Sequence, residues 1–271
     1  MGVLTGDLIR EIEKSAPPAC AESWDNSGWQ IRLQADGAEI NTLLVALELT
    51  DAVCAEAESL GAELALTHHP LFFVPQKCVD AGGLNGGAYA ARLIRAGVSV
   101  YSAHTSFDAA PGGMNDCLAA RVGLKELRGF PCGPVPAPVD SGGCPIARRG
   151  VLADPLPFAA LCAKVEAALG MQGRLKTIGD PAKLVRAGAV CGGAGGDFIP
   201  DAIETGLDFF LTSDVSHHQA QWAKERGLCL IDGGHFGTEN LFAQEMAERL
   251  AHAFPGLLTI VQTSANLDPW G

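Results

Sequence analysis

Six of the seven histidines in this sequence lie in three short windows, two of which also contain carboxylates. In chain order the windows contain His68 and His69; His104 and Asp108; and Asp214, His217, His218, His235 and Glu239. Imidazole and carboxylate groups without thiolates are the ligands expected for a divalent ion such as Zn²⁺, Mn²⁺ or Fe²⁺. The windows therefore predict a metal site that is assembled from separate segments of the chain.

The adjacent pair His68 and His69 stands at the end of an apolar run, directly before Pro70. Neighbouring side chains on a strand point to opposite faces, so the two rings can share one ion only if the backbone bends. A strand end before a proline permits such a bend. Two ions about 3.5–4 Å apart would instead give each histidine its own ion, which is the simpler interpretation.

The other two windows contain histidines that are followed by a carboxylate four residues later. His235 and Glu239 share one face if a helix begins there, and the carboxylate is then placed to bridge two ions. His104 and Asp108 have the same spacing, but the proline and glycines that follow favour a loop. Each window alone has an ordinary structural explanation, as a surface pair, a capped turn or a helix start. Their combination is what favours a metal site.

The surrounding sequence alternates strands and helices in the pattern of an α/β protein with a mostly parallel sheet. Predicted strands end at or near all three windows, and ligands of open α/β sheets bind at the carboxyl ends of the strands. Residues 129–150 are rich in Pro and Gly and are interpreted as a linker and irregular entry into a second α/β region.

Charge and composition exclude several classes of protein. The net charge of −12 argues against broad nucleic-acid binding, because an acidic surface repels the phosphate backbone. We expect no membrane association, since no apolar run reaches the roughly 20 residues needed to span a bilayer. The nine cysteines include no Cys-x-x-Cys pair, so we interpret most as apolar core residues in a reducing compartment. Without a signal-peptide pattern, the expected location is the cytoplasm.

Two further stretches could contribute to function. GGAGG, residues 192–196, follows an apolar strand, so its amides could hold an anion, although a tight turn is an equally simple explanation. ESWDNSGWQI, residues 22–31, has two tryptophans around Asp-Asn-Ser-Gly. It is interpreted either as an Asx turn with a buried tryptophan or as a ligand contact.

Taken together, these motifs resemble the Nif-three-like dinuclear metal-binding family, whose members are named as homologues of a type-two GTP cyclohydrolase. The resemblance rests on WDNSGWQI, THHPLFF, HTSFDAAPGGMND, GGAGG, TSDVSHH and IDGGHFGTE, in family order. It implies two α/β domains with two divalent metals, Zn, Mn or Fe, in the cleft between them. We place the first domain at residues 1–127 plus 233–271 and the second at residues 128–232. The resemblance also implies a homohexamer.

The resemblance further implies which residues bind the ions. His69 and Asp108 would hold one ion, His68 and His235 the other, and Glu239 would bridge both. His104 matches a family histidine close to the metals, and Asp214 and His218 match positions that face the same cleft.

The function favoured by these residues is a metal-dependent hydrolase acting on a nucleotide-like or other phosphorylated small molecule, with the substrate itself unidentified. His104 and His218, with Asp214, are the candidates for proton transfer. The alternatives are a non-enzymatic metal-binding scaffold and a partner-binding adaptor. The surplus of titratable groups beyond the five implied ligands favours the enzyme.

Overall fold

The computed structural model describes residues 2–83, 86–130 and 144–271, which fall into two compact units. The first unit comprises Met1–Phe107 and Phe242–Gly271, and the second comprises Asp108–Leu241. The sequence-based domain boundaries differ from this division, since residues 108–127 and 233–241 lie in the second unit. One reason is that the strand Leu124–Phe130 pairs within the sheet of the second unit.

The elements follow one another along the chain as strands, α-helices and two short 3₁₀ turns. The strands are β1 (Val3–Leu4), β2 (Gly28–Ile31), β3 (Glu39–Ile40), β4 (Thr42–Ala46), β5 (Leu64–Thr67), β6 (Ser99–Ser102), β7 (Leu124–Phe130), β8 (Ala147–Pro157), β9 (Lys176–Ile178), β10 (Leu184–Val190), β11 (Phe209–Thr212), β12 (Cys229–Asp232) and β13 (Thr259–Gln262). The helices are α1 (Thr5–Ser15), α2 (Asp51–Leu60), α3 (Gly86–Ala96), α4 (Thr105–Ala109), α5 (Met114–Val122), α6 (Phe158–Leu169), α7 (Ile199–Glu204), α8 (His217–Arg226), α9 (His235–Glu239) and α10 (Leu241–Ala253).

The first unit is built on a five-stranded sheet with the order β13-β4-β5-β6-β2. Strands β13, β4, β5 and β6 are parallel, and β2 pairs antiparallel with β6 at one edge. The central strands β4 and β5 are continuous apolar runs because both faces of the sheet are covered. The carboxyl ends of β5 and β6 are adjacent, so the residues that follow Thr67 and Ser102 emerge side by side.

Helix α2 shows how local sequence sets the limits of an element in this unit. Thr50 precedes the helix, and its hydroxyl accepts a hydrogen bond from the amide of Val53 at 3.3 Å. Gly61 ends the helix with a left-handed backbone, φ 60°, which glycine adopts without steric cost. The caps predicted from the sequence are therefore confirmed.

The second unit is built on a six-stranded sheet with the order β7-β8-β10-β11-β12-β9. Strands β10, β11 and β12 are parallel, whereas β7, β8 and β9 are antiparallel to their neighbours. Among the core residues are Phe130, Phe210 and Leu230, all at most 2% exposed. The prediction of an α/β fold is confirmed for both units, with antiparallel strands at the edges.

The Pro- and Gly-rich segment 129–150 was expected to be an irregular linker. Its first two residues belong to β7, and its last four begin the eleven-residue strand β8, which pairs with both β7 and β10. Residues 131–143 of this segment lie outside the described residues, so the expectation is not tested there. The linker interpretation was wrong at both ends, because pairing between strands overrides the weak local preference of Arg- and Gly-containing sequence.

The expectation for the cysteines is confirmed only in part. Cys54, Cys191 and Cys229 are buried, as apolar core residues would be. Cys20 and Cys144 are disulfide-bonded, so the interpretation of the cysteines as reduced was wrong for these two.

None of the helices in the described part of the chain combines the length and the apolar character that crossing a bilayer requires.

Candidate metal centre

In the first unit, the backbone turns directly after β5, and this turn sets the directions of His68 and His69. The amides of both residues donate to the carbonyl of Leu47, at 3.0 and 2.9 Å. The Thr67 hydroxyl donates to the carbonyl of His69 at 2.9 Å. The two residues therefore follow the strand and are not part of it, so strand alternation does not separate their rings. The centroids of the rings lie 5.1 Å apart.

His104 occupies the equivalent place after the neighbouring strand β6, directly before α4. Its ring centroid lies 5.1 Å from that of His68 and 5.8 Å from that of His69. Ligand atoms of the three histidines all lie within 4.8 Å of one another, so His68, His69 and His104 form a group that could hold a metal ion. The sequence predicted that the THHP and HTSFD windows lie together, and this is confirmed for these three residues.

Each histidine of this group has an oxygen acceptor at Nδ1. His68 Nδ1 lies 2.9 Å from the carbonyl oxygen of Ala103, and His69 Nδ1 lies 3.2 Å from a carboxylate oxygen of Glu48. His104 Nδ1 lies 2.7 Å from Asp25. A carbonyl or a carboxylate only accepts, so the contact assigns a proton to Nδ1, and Nε2 is the nitrogen on the other side of the ring. This tautomer is the one that binds metals through Nε2, with the acceptor fixing the ring.

Asp25 is the anchor of the WDNSGW stretch. Its side chain is fully buried and accepts hydrogen bonds from the Asn26 amide, the Ser27 hydroxyl, His104 and both the amide and hydroxyl of Thr105. Burial alone would raise the pKa of Asp25, but the hydrogen bonds from His104, Ser27 and Thr105, and the charge of His104, outweigh it. The pKa is held well below its usual range. The sequence had suggested an Asx turn with a buried tryptophan, yet Trp24 is exposed.

In the second unit, His235 and Glu239 are the first and last residues of α9. His235 Nε2 lies 3.0 Å from a carboxylate oxygen of Glu239, so the predicted shared helix face is confirmed. Asp214 lies 2.5 Å from Nδ1 of the same histidine. Glu239 is buried, whereas His235 and Asp214 are more exposed. His235 thus has a carboxylate at Nδ1 and directs Nε2 toward a second carboxylate.

The glycine stretch 192–196 is the turn that passes over Glu239. A Cβ placed on Gly193 would lie 2.3 Å from Glu239 Oε1, and the backbone of Gly193 is left-handed, φ 63°. The amide of Gly193 donates to the Thr238 hydroxyl, that of Gly192 to Asn115, and that of Gly195 to the Thr212 hydroxyl. These amides therefore bind oxygens of the same unit. The contacts of these three amides favour the tight-turn interpretation of the stretch.

Asp108 lies in α4, where the sequence had favoured a loop. The helix forms because the amide of Phe107 bonds back to the carbonyl of His104 at 2.9 Å, which begins the turn. Asp108 is buried, and its carbonyl accepts a hydrogen bond from the Asn115 side chain at 3.3 Å. The side-chain oxygen of Asn115 also accepts a hydrogen bond from the backbone amide of Gly192 at 2.7 Å. The buried side chain of Asn115 therefore connects Asp108 to the glycine turn.

His218 is also proposed for proton transfer, but it takes no part in the contacts described above. It lies in the first turn of α8, exposed, with its ring 5.7 Å from that of His217. No contact made by the described residues joins it to His235 or Glu239.

Sequence reasoning missed three positioning residues, namely Asp25, Glu48 and Asn115. Asp25 could have been found from its place in WDNSGW, which was noted without a role. Asn115 could have been found in the same way, from its place in HTSFDAAPGGMND, whereas Glu48 has no distinctive sequence pattern around it.

The types of the donor groups fit divalent metal ions. The first unit presents the imidazoles of His68, His69 and His104, and the second presents the imidazole of His235 beside the buried carboxylate of Glu239. Mixed imidazole and carboxylate donors suit Zn²⁺, Mn²⁺ and Fe²⁺, and the acceptors at Nδ1 are the partners that metal-binding histidines usually have.

Comparisons with known proteins match most of the length of this chain. The family model described as Duf34/NIF3 (NGG1p interacting factor 3) matches residues 3–269. A GTP cyclohydrolase 1 type 2 homolog of Nostoc sp. is 38% identical over 246 residues, 90% of each chain. A protein of the same name from Clostridium perfringens is 32% identical over 266 residues, 97% of each chain. The crystal structure of a Bacillus cereus protein related to NIF3 shares the fold, with a TM-score of 0.87, 22% identity and 99% coverage of each chain.

Proposed function

The chain belongs to the Duf34/NIF3 family, and from this premise we propose that it binds two divalent metal ions and is a metal-dependent hydrolase. The proposed substrate class is a nucleotide-like or other phosphorylated small molecule, in keeping with the name that its relatives have. One observation supports this most strongly: His68, His69, His104 and His235 all have an oxygen acceptor at Nδ1.

The proposed ligands follow the family resemblance. His69 and Asp108 would hold one ion, His68 and His235 would hold the other, and Glu239 would bind both. Burial of His68, Asp108 and Glu239 supports these roles, because buried polar side chains of this kind are stabilised by a charged partner such as a cation. The native metal remains one of Zn²⁺, Mn²⁺ and Fe²⁺.

A divalent ion bound by these residues would lower the pKa of a bound water toward 7, which would make the water a nucleophile at neutral pH. His104 is proposed to accept a proton at Nε2. Asp25 orients its ring through Nδ1 and stabilises the charged imidazole, as a carboxylate partner does for a general base. Asp214 is proposed to orient His235, which its contact with Nδ1 favours over a direct part in proton transfer. His218 remains a candidate for proton transfer.

The test begins with metal content. Protein purified without chelator should contain close to two divalent ions per chain by elemental analysis. The protein is also reconstituted with Zn²⁺, Mn²⁺ and Fe²⁺ in turn. If it retains none of these metals, the proposed centre is ruled out.

The metal-loaded protein is then screened against nucleoside triphosphates, nucleoside monophosphates and simple phosphoesters. We expect the wild-type protein to turn over one of these substrates. His104→Gln should reduce this turnover without changing the metal content, because His104 is proposed to move a proton and not to bind an ion. Retention of both metals with no turnover on any substrate would instead favour a metal-binding scaffold.

We also propose that the chain forms a homohexamer, as the resemblance implies. One chain has a mass of 28.1 kDa, and light scattering at micromolar concentration should give six times this mass. A mass of one chain at all concentrations would contradict this proposal.

A further inference from the structure

Two large aromatic side chains, Trp24 and Phe73, are exposed beside His104 in the first unit. Trp24 is 58% exposed and Phe73 is 57% exposed. Their ring centroids lie 5.8 Å apart, and each lies 6.1 Å from the ring of His104. We call Trp24 and Phe73 the aromatic platform. It comes from WDNSGWQI and THHPLFF, two motifs with aromatic residues that the proposed metal centre does not use.

Hydrogen bonds hold the two segments of the platform together. The Asn26 side chain donates to the carbonyl of Phe72 at 2.7 Å, and the amide of Phe72 donates to the Gln30 side chain at 3.1 Å. The Gln30 side chain in turn donates to the carbonyl of Asn26 at 2.6 Å. Three polar contacts therefore fix the backbone next to both exposed rings, and the platform is preorganised in the folded chain.

The chemistry of the platform favours a flat, aromatic ligand group. Exposed aromatic faces bind planar rings by stacking and by edge-to-face contact. Two charged groups that contact the neighbouring histidines are Asp25 and Glu48, which are both carboxylates. Neither offers positive charge to an anion, so these contacts do not favour a phosphate at the platform.

We propose that Trp24 and Phe73 form a subsite for a planar aromatic ring of the substrate, beside His104. This inference rests on the proposed function and narrows the substrate class. The substrate then includes a nucleobase or another heteroaromatic ring, and simple aliphatic phosphoesters are excluded. Stacking is tolerant of the identity of the base, because every base has an aromatic face.

The test measures ligand binding without requiring metal or turnover. Adenosine, guanosine and ribose are titrated into the purified protein up to millimolar concentration, followed by calorimetry. The nucleosides have no phosphate, so their binding is measured without the group expected to bind a metal ion most strongly. We expect both nucleosides to bind more tightly than ribose. Trp24→Ala and Phe73→Ala should each weaken nucleoside binding by about 5- to 150-fold, the range that stacking of one base contributes.

Matched controls separate stacking from general surface effects. Trp270→Ala removes a tryptophan that is 89% exposed, and Trp222→Ala removes one in the second unit that is 49% exposed. Neither should change nucleoside affinity. Phe73→Leu keeps an apolar side chain without the aromatic face and should behave like Phe73→Ala.

Two results would overturn the inference. The first is wild-type protein that does not distinguish nucleosides from ribose, and the second is platform variants with unchanged nucleoside affinity. A change of oligomeric mass accompanying the second result would make the platform a contact between copies. Elemental analysis of the same samples reports separately on the proposed metal centre, so the two proposals fail independently.

Discussion

Asp214 Oδ2 lies 2.5 Å from Nδ1 of His235, and Asp214 reaches this position with a left-handed backbone, φ 53°. A residue with a Cβ adopts this conformation only at a cost, which is of order 1–2 kcal/mol. Aspartate tolerates the region better than most residues do. The backbone strain and the short contact are therefore linked, because the turn after β11 places the carboxylate where it fixes the imidazole.

We expect Asp214→Asn to weaken metal binding by about 10- to 100-fold, the usual effect of losing a partner that orients a ligand. Asp214→Gly should weaken it similarly while leaving the free energy of unfolding unchanged or higher, since the strain is relieved. Competition with a chelator measures the affinity, and urea denaturation measures the stability. Glu126→Gly is the control, because Glu126 has φ 54° and lies in β7. It should change stability alone. Unchanged affinity in Asp214→Asn would show that the contact does not orient a ligand.

Gly193→Ala tests the close approach of the glycine turn to Glu239. The new methyl group would lie 2.3 Å from Glu239 Oε1, so the carboxylate must move. Gly206→Ala is the matched control, with φ 69° and no atom within 4 Å of the added carbon. Both variants pay the left-handed penalty of roughly 1 kcal/mol. Only Gly193→Ala should also lose metal affinity, measured by chelator competition. Equal metal affinity in the two variants would refute the role of this contact.

Glu239→Gln tests the proposed bridge. It retains the shape of a buried side chain but removes the charge, and an amide bridges two cations poorly. Both ions should be lost, whereas His69→Ala should mainly weaken one. Metal per chain by elemental analysis and folding by circular dichroism are measured together. Glu248→Gln, at an exposed position of α10, should retain both ions. A Glu239→Gln protein with two ions at wild-type affinity would leave Glu239 as an ordinary helix residue.

Asp25→Asn should make stability less dependent on pH. Because the pKa of Asp25 is lowered from 3.8 in the folded protein, its ionised form stabilises the fold above that value. This contribution is lost as the pH falls below about 5, when the unfolded chain takes up the proton first. At pH 7 the variant should be about 1–3 kcal/mol less stable, the cost of disturbing buried hydrogen bonds.

The difference between Asp25→Asn and the wild type should shrink between pH 5 and pH 2, measured by denaturation of metal-free protein. Asp36→Asn, in an exposed pair with Arg32, is the control and should give a small, nearly constant difference. If the difference in stability between Asp25→Asn and the wild type stays constant down to the lowest pH, the lowered pKa is contradicted.

The sequence by itself determined the alternation of strands and helices, the caps of α2 and the windows that contain candidate ligands. These features are local, since apolar periodicity, a capping threonine and a terminal glycine act over a few residues. The shared face of His235 and Glu239 is of the same kind, because helical spacing fixes it once the helix begins.

Tertiary structure alone decided which way the rings point and what holds them. Nothing in THHP shows that Leu47 accepts both amides, or that Glu48 lies at Nδ1 of His69. The strand β8 also appears only when β7 and β10 are present to pair with it. These features depend on groups far apart in the chain, whose hydrogen bonds form only after the sheets bring them within 3 Å or so. Local sequence therefore supplies the donors of the candidate metal site, and the fold sets their directions and their hydrogen-bond partners.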